Sequence, residues 1–310
     1  MISPFLLKLL TSLITKKESP KVSTSGVLCS FDRKSIRAYN EEKFGVKDGG
    51  DIVTKKLYEK NELTFALLWI GLYVLSMNIA LQFCGGFDNL AGKSAGQMLV
   101  PVVCILILAV LSTAWIIKNG LTEKFGLCGF KGNLKTFLWF VPLIVMSCTN
   151  LKNGLGLSAP LSVTLLMMVN VAVAGYVEEI IFRGFLFRAM AADNLKNAVI
   201  VSAVTFGVGH IVNLANTADV MAVLLQVCYA VAIGFLYTVT VYKGRSLWPC
   251  IISHMFVNAT SVFALENGPF NDLITSVFKN ESLALSDTIS ALLIIIVSGT
   301  YALWLWKKEE

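Results

Sequence analysis

Apolar runs of roughly bilayer-spanning length recur between residues 64 and 306, and they decide most of what this chain can fold into. The hydrocarbon core of a bilayer is about 30 Å thick and a helix rises about 1.5 Å per residue, so about 20 apolar residues cross it. In lipid every backbone N–H and C=O must be satisfied inside the protein, which leaves helices or a closed barrel. The runs here are continuous rather than alternating, so they read as helices. Composition agrees. Hydrophobic residues make up 55% and charged residues 15%, with mean hydropathy +0.70; a soluble domain carries about 25% charged residues. The net charge of +6 gathers in the N-terminal stretch and in certain loops, as a membrane protein distributes it, and gives no nucleic-acid reading.

The expected fold is an all-α polytopic membrane protein with about eight transmembrane helices. The spans fall at about 64–83, 98–117, 135–148, 160–188, 196–213, 219–242, 247–265 and 288–306. Basic residues crowd the stretch before the first span, and Lys93 stands alone after it. Lys118, Lys124, Lys131 and Lys135 follow the second span, and Lys152 alone follows the third. Arg183, Arg188 and Lys196 surround the end of the fourth span, and none lies between Asn213 and Asp219. Lys243 and Arg245 come next, then Lys279 among acidic residues, then Lys307 and Lys308. Rich and poor loops alternate, so the positive-inside rule puts both termini in the cytosol. No internal repeat is evident, which argues against an inverted-repeat transporter.

Residues 1–62 read as a cytosolic N-terminal tail, and 63–310 as the transmembrane domain. Ile2, Phe5, Leu6, Leu9, Leu10, Leu13 and Ile14 repeat at helical spacing, the pattern of an amphipathic helix lying on the membrane surface. The seven cysteines contain no CxxC pair, which argues against a disulfide framework or a thiolate metal site.

One apolar run carries an anomaly. From Leu161 to Val177 no residue is charged, and then come Glu178, Glu179 and Arg183. A charge at the bilayer centre costs roughly 2.5–3.5 kcal/mol on insertion scales. Glu179 and Arg183 are i and i+4 and can pair on one helix face. Glu178 is rotated about 100° away. The bland alternative is a structural ion pair beside a helix-end glutamate in water. The chain's two histidines lie in later spans, in Phe206-Gly-Val-Gly-His210 and His254-Met-Phe-Val-Asn258. Each motif puts its end residues on one face. Polar groups in three spans avoid lipid best by facing one another. A carboxylate with an imidazole can activate water, and a His with an Asn can donate to an oxyanion.

Glu178-Glu179-x-x-x-Arg183, Phe206-x-x-x-His210 and His254-x-x-x-Asn258 resemble, in order, the three signature motifs of the CPBP family. That family includes type II CAAX prenyl proteases, Abi-domain proteins and bacteriocin-processing or self-immunity proteins. The resemblance covers about 160–265. It implies an intramembrane glutamic-type endopeptidase with a cavity open toward the cytosol, acting on a membrane-associated or lipidated peptide. Glu178 and His210 would activate the water, and His254 and Asn258 would line the oxyanion hole. Glu179 and Arg183 would orient the site, and Phe206 would shape its pocket. Glu, His and His could bind zinc, but no HExxH is present and Asn is a poor zinc ligand, so a site without cofactor is preferred. Two alternatives stand beside the protease: a non-catalytic scaffold or bacteriocin-immunity protein, and a proton-coupled transporter using Glu178 and His210 as a relay. A bacterial plasma membrane is the favoured location.

Overall fold

Polar residues at the ends of the apolar runs start the helices. Asn61 accepts a hydrogen bond from the Thr64 amide, Asn194 from Asn197 and Asp219 from Ala222. Ser94 and Gln97 form a reciprocal capping box. These caps satisfy amides that the first helical turn leaves without partners. In a computed structural model, residues 52–86, 90–130, 138–215 and 219–308 are described, and they fall in one unit, Asp48–Glu310. The expected surface helix at residues 1–17 lies outside the described residues.

The chain runs through α1 (Ile52–Lys60), α2 (Glu62–Cys84), α3 (Ala95–Lys118) and α4 (Val141–Ser147). Then come α5 (Leu161–Glu179), a π-helical segment (Ile180–Leu186), α6 (Phe187–Ala191), α7 (Leu195–Gly209), α8 (Val220–Gly244) and α9 (Trp248–Ser261). It ends with α10 (Pro269–Phe278) and α11 (Leu283–Lys307). Short 3₁₀ turns flank α4 at Leu138–Phe140 and Thr149–Asn153, and another follows α7 at His210–Ala215. Among the described residues there is no strand, only the isolated bridge Leu155–Ala264.

Six helical stretches are long and apolar enough to cross a membrane: Glu62–Cys84, Ala95–Lys118, Leu161–Ala191, Leu195–Leu214, Val220–Gly244 and Leu283–Lys307. Apolar side chains such as Leu75, Val110 and Ile296 point outward from them, as lipid requires. The other two expected spans, 135–148 and 247–265, fall on the shorter α4 and α9. The 14 residues of α9 rise about 21 Å, less than the hydrocarbon thickness. Hydrogen bonds nonetheless hold α9 to its surroundings along its length. The Leu247 amide donates to Gly126 O at 2.7 Å, and Ser246 Oγ to Cys128 O at 3.0 Å. At the opposite end of α9, Gly156 N donates to Phe263 O at 2.7 Å and Leu265 N to Gly154 O at 3.2 Å. Between them Ser147 and Ser253 share a hydrogen bond of 2.8 Å, and Asn150 Nδ2 reaches Val257 O at 2.6 Å.

Two departures from the expected tail matter for the core. Residues 52–60 are a helix, and Tyr58 on it is buried. Its ring packs edge-on against Phe65, Trp115 and Phe125, with Lys124 Nζ 4.9 Å from its centroid. Burial, reinforced by Glu62 and Glu59, pushes its phenol well above the usual tyrosine range. This cluster continues through Phe65 and Trp69 onto Phe185 of the π segment, at 5.2 and 5.7 Å between centroids. It fixes α2 against the stretch that follows Glu178-Glu179.

The seam between α7 and α8 is set by small residues, which let membrane helices approach closely. A Cβ on Gly207 would meet the Val231 amide nitrogen at 2.7 Å and Val227 O at 2.9 Å, and one on Gly234 would meet Ala203 O at 3.1 Å. Because these neighbours are backbone, they cannot swing aside. Gly207→Ala is expected to force α7 and α8 apart and cost about 1–3 kcal/mol, read as a lower midpoint of thermal unfolding in detergent; an unchanged midpoint would contradict this seam.

Candidate active site

The polar residues of α5 sit where it gives way to the π segment. There the Phe187 amide bonds Phe182 O, five residues back, instead of four. Such π turns are inserted mostly at functional sites. Ser202 of α7 donates to the same Phe182 oxygen at 2.9 Å, which pins α7 to this turn. Glu179 and Arg183 lie on the inward side and are fully buried. Arg183 Nη1 donates to Glu179 Oε1 at 2.9 Å. The guanidinium carbon stands 4.1 Å from the Phe206 ring centroid and 5.6 Å from that of Tyr237. Two aromatic faces thus hold a desolvated cation whose charge Glu179 balances.

His254 joins the two glutamates. Its Nδ1 is 2.8 Å from Glu179 Oε1, and its Nε2 is 3.4 Å from Glu178 Oε2. A neutral imidazole has one N–H. The 2.8 Å contact makes Glu179 its hydrogen-bond partner, and Glu178 stands beside the other nitrogen. Glu178 differs from its neighbour in exposure: its side chain is 14% exposed, against 0% for Glu179. The Tyr73 hydroxyl on α2 donates to Glu178 Oε1.

Phe206 is the hub of the second motif. Its ring meets Phe182 at 5.4 Å, His210 at 5.1 Å and His254 at 5.6 Å, each edge to face. The Nδ1 of His210 lies 3.1 Å from Phe206 O. A carbonyl only accepts, so this bond puts the proton on Nδ1 and leaves a lone pair on Nε2. Among the described residues, no hydrogen bond or ion pair joins His210 to Glu178; His254 is the histidine that contacts the glutamates. Asn258, one turn beyond His254, donates from Nδ2 to Val171 O on α5 at 2.9 Å. One amide N–H engaged in this way leaves the other.

Residues 160–260 match the family model described as Rce1-like, type II CAAX prenyl endopeptidase. This segment, about a third of the chain, is similar to the CAAX-protease, or CPBP, family. No curated protein and no solved structure matches the chain. The matched segment contains all seven residues singled out in the three motifs. The structure gathers Glu178, Glu179, Arg183, Phe206 and His254 into one contact network, with His210 on its edge through Phe206 and Asn258 one turn beyond His254, bonded to Val171 O.

Three further residues of the site were not assigned from the sequence. Tyr73 comes from outside the matched segment. Tyr237 closes over Arg183, and its hydroxyl shares a 2.8 Å hydrogen bond with Ser253, the residue before His254. Gly175 lies one turn before Glu179. A Cβ there would stand 3.2 Å from His254 Cγ and 3.1 Å from Asn258 Nδ2, so glycine lets α9 press its two polar residues onto α5. Spacing could have flagged Gly175, which precedes Glu179 by four residues. No pattern marked Tyr73 or Tyr237.

The two glutamates should respond differently to truncation. Glu179→Ala leaves the Arg183 cation buried without its anion and should cost about 3–5 kcal/mol of stability. Glu178→Ala removes a partly exposed carboxylate, and its loss should be far smaller. Thermal unfolding of the two purified variants separates them; equal losses would contradict the division.

Proposed function

We propose that this chain is a membrane-embedded endopeptidase that hydrolyses a peptide bond in a membrane-associated or lipidated peptide close to the cytosolic face. The observation that carries this reading is the unequal setting of two adjacent glutamates. Glu179 is sealed in with Arg183 and anchors His254, whereas Glu178 keeps a partly exposed carboxylate held from two sides. The CAAX-protease match of the segment that bears both glutamates agrees with it.

In this reading Glu178 and the bare Nε2 of His210 draw a proton from a water molecule as its oxygen attacks the scissile carbonyl carbon. The carbonyl π pair moves onto oxygen. The second N–H of Asn258 and the Nε2 edge of His254 line the place where that oxyanion forms. Collapse restores the carbonyl, the C–N bond breaks, and the proton taken from water passes to the leaving amine. Arg183, Phe206 and Tyr237 hold the frame on which these groups are aimed.

No cofactor is assigned. His254 directs its two nitrogens at two carboxylates, and among the described residues no group of three or more His, Cys, Asp or Glu is disposed to hold a metal ion. The reaction is therefore written through the side chains alone.

We also read eight crossings, with the described chain ends at one cytosolic level in a bacterial plasma membrane. Three contacts support a common level: Lys124 with Glu62 at 2.6 Å, Leu247 with Gly126, and Lys243 Nζ with Lys308 O at 2.6 Å. With α8 and α11 both finishing there, we read α9 as the return crossing between them. The segment from 138 to 153 runs beside α9 between the same two levels. Lys124, Lys243, Arg245, Lys307 and Lys308 at this level fit a cytosolic face.

The experiment uses purified protein in micelles and an internally quenched peptide bearing a prenylated cysteine three residues before its C-terminus. Glu178→Gln and His210→Ala are each expected to lower kcat by about 100-fold or more while the protein stays folded. Full activity in both would sink the mechanism. For topology, an alkaline phosphatase fused after Gly156 should be active and one fused after Gly126 inactive; the reverse pattern would overturn the orientation.

A further inference from the structure

We propose that Tyr73 is a positioning residue for Glu178, so that the site is completed by a helix outside the segment that carries the family motifs. The inference rests on the reading of Glu178 as the water-activating base.

The sequence places Phe65, Trp69, Tyr73 and Met77 four residues apart, one stripe along α2. Phe65 and Trp69 are buried against Phe185, while Tyr73 and Met77 pack on the same core. Phe185 follows Glu178 by seven residues, about two turns. Tyr73 lies one turn beyond Trp69, in the direction that carries α2 back toward Glu178. The aromatic cluster thus sets the register of α2, and this register brings the Tyr73 hydroxyl to Glu178 Oε1. A slip of one residue would rotate that hydroxyl about 100° off the stripe.

The bond has a directional consequence for the carboxylate. A tyrosine hydroxyl bonded to Glu178 Oε1 leaves Oε2 as the oxygen turned to His254 Nε2 at 3.4 Å. The carboxylate plane is then fixed from two sides. Without the hydroxyl, Oε1 loses its donor and the carboxylate is held from one side only. The groups around Glu178 are then His254 on α9 and Glu179 and Arg183 on its own helix, none of which reaches Oε1. Hydrogen bonds to charged groups are strong enough that this loss should be felt as about tenfold or more.

Tyr73→Phe removes the hydroxyl and keeps the ring. Two readouts on the full-length protein in micelles test it. The first is the rate at which a hydrophobic carbodiimide labels Glu178, followed by mass spectrometry; it does not depend on any substrate. It should rise about tenfold in Tyr73→Phe, because Oε1 loses the hydroxyl that occupies it and is freed to react. The second is turnover of the quenched prenylated peptide, where kcat should fall about tenfold with KM unchanged. Unchanged labelling and unchanged kcat would overturn the proposal, as would a raised KM at unchanged kcat, which would make Tyr73 a substrate contact. A Tyr73→Phe protein whose unfolding midpoint falls sharply would show the hydroxyl to be structural and would also overturn it. Glu178→Gln, run in parallel, tells the two readings apart. If that variant still cleaves, Glu178 is not the base, yet faster labelling in Tyr73→Phe would still establish that Tyr73 holds it.

Discussion

The ion pair between Glu179 and Arg183 is the constraint on which the site depends. Both side chains are fully buried in a chain read as crossing a bilayer, where an unpaired charge would be costly. The surroundings are built to tolerate the pair. Phe206 and Tyr237 offer their faces to the guanidinium, and His254 takes up the same Glu179 oxygen that Arg183 holds. Each of these groups arrives on a different helix, α7, α8 and α9. One buried charge on α5 and its π extension therefore organises three neighbours, and a helix that failed to dock would leave that charge exposed to lipid.

The same arrangement explains how two consecutive glutamates differ. On a regular helix they point about 100° apart. Packing turns that angle into a difference of environment: Glu179 faces inward to a cation, and Glu178 faces the edge where α2 approaches. His254 spans the angle, one ring nitrogen for each carboxylate. Gly175 makes the span short, since any side chain there would lift α9 away. Small residues do comparable work between α7 and α8. Close approach thus serves both a polar contact, at Gly175, and an apolar seam, at Gly207 and Gly234.

The two short helices show how polar contacts can stand in for length. Neither α4 nor α9 matches a bilayer by itself, and each turns an apolar side outward, at Ile144 and Val145 and at Ile252 and Phe256, while its polar side meets protein. Ser147, Ser253, Asn150 and Thr260 lie along their contact, where non-helical turns and free hydroxyls find protein partners. Irregular backbone at membrane depth is tolerated under that condition. A 14-residue helix carrying His254 and Asn258 can therefore sit among longer ones with its polar face inward.

Much of this was legible in the residues. The six long apolar helices follow from run length alone, because lipid leaves the backbone no other way to satisfy its hydrogen bonds. The pairing of Glu179 with Arg183 follows from helical spacing, and the three motifs that hold the site are intact in the sequence. What the sequence did not supply was the partner of each group. Spacing relates residues within one helix; which histidine reaches which glutamate depends on how helices far apart in the chain cross and on the depth of each. Tertiary packing put His254 between Glu178 and Glu179 and set His210 beyond Phe206. It also brought Tyr73 from a distant helix, through the docking of an aromatic stripe. Local periodicity carries no information about such contacts between helices, so only the folded arrangement could decide them.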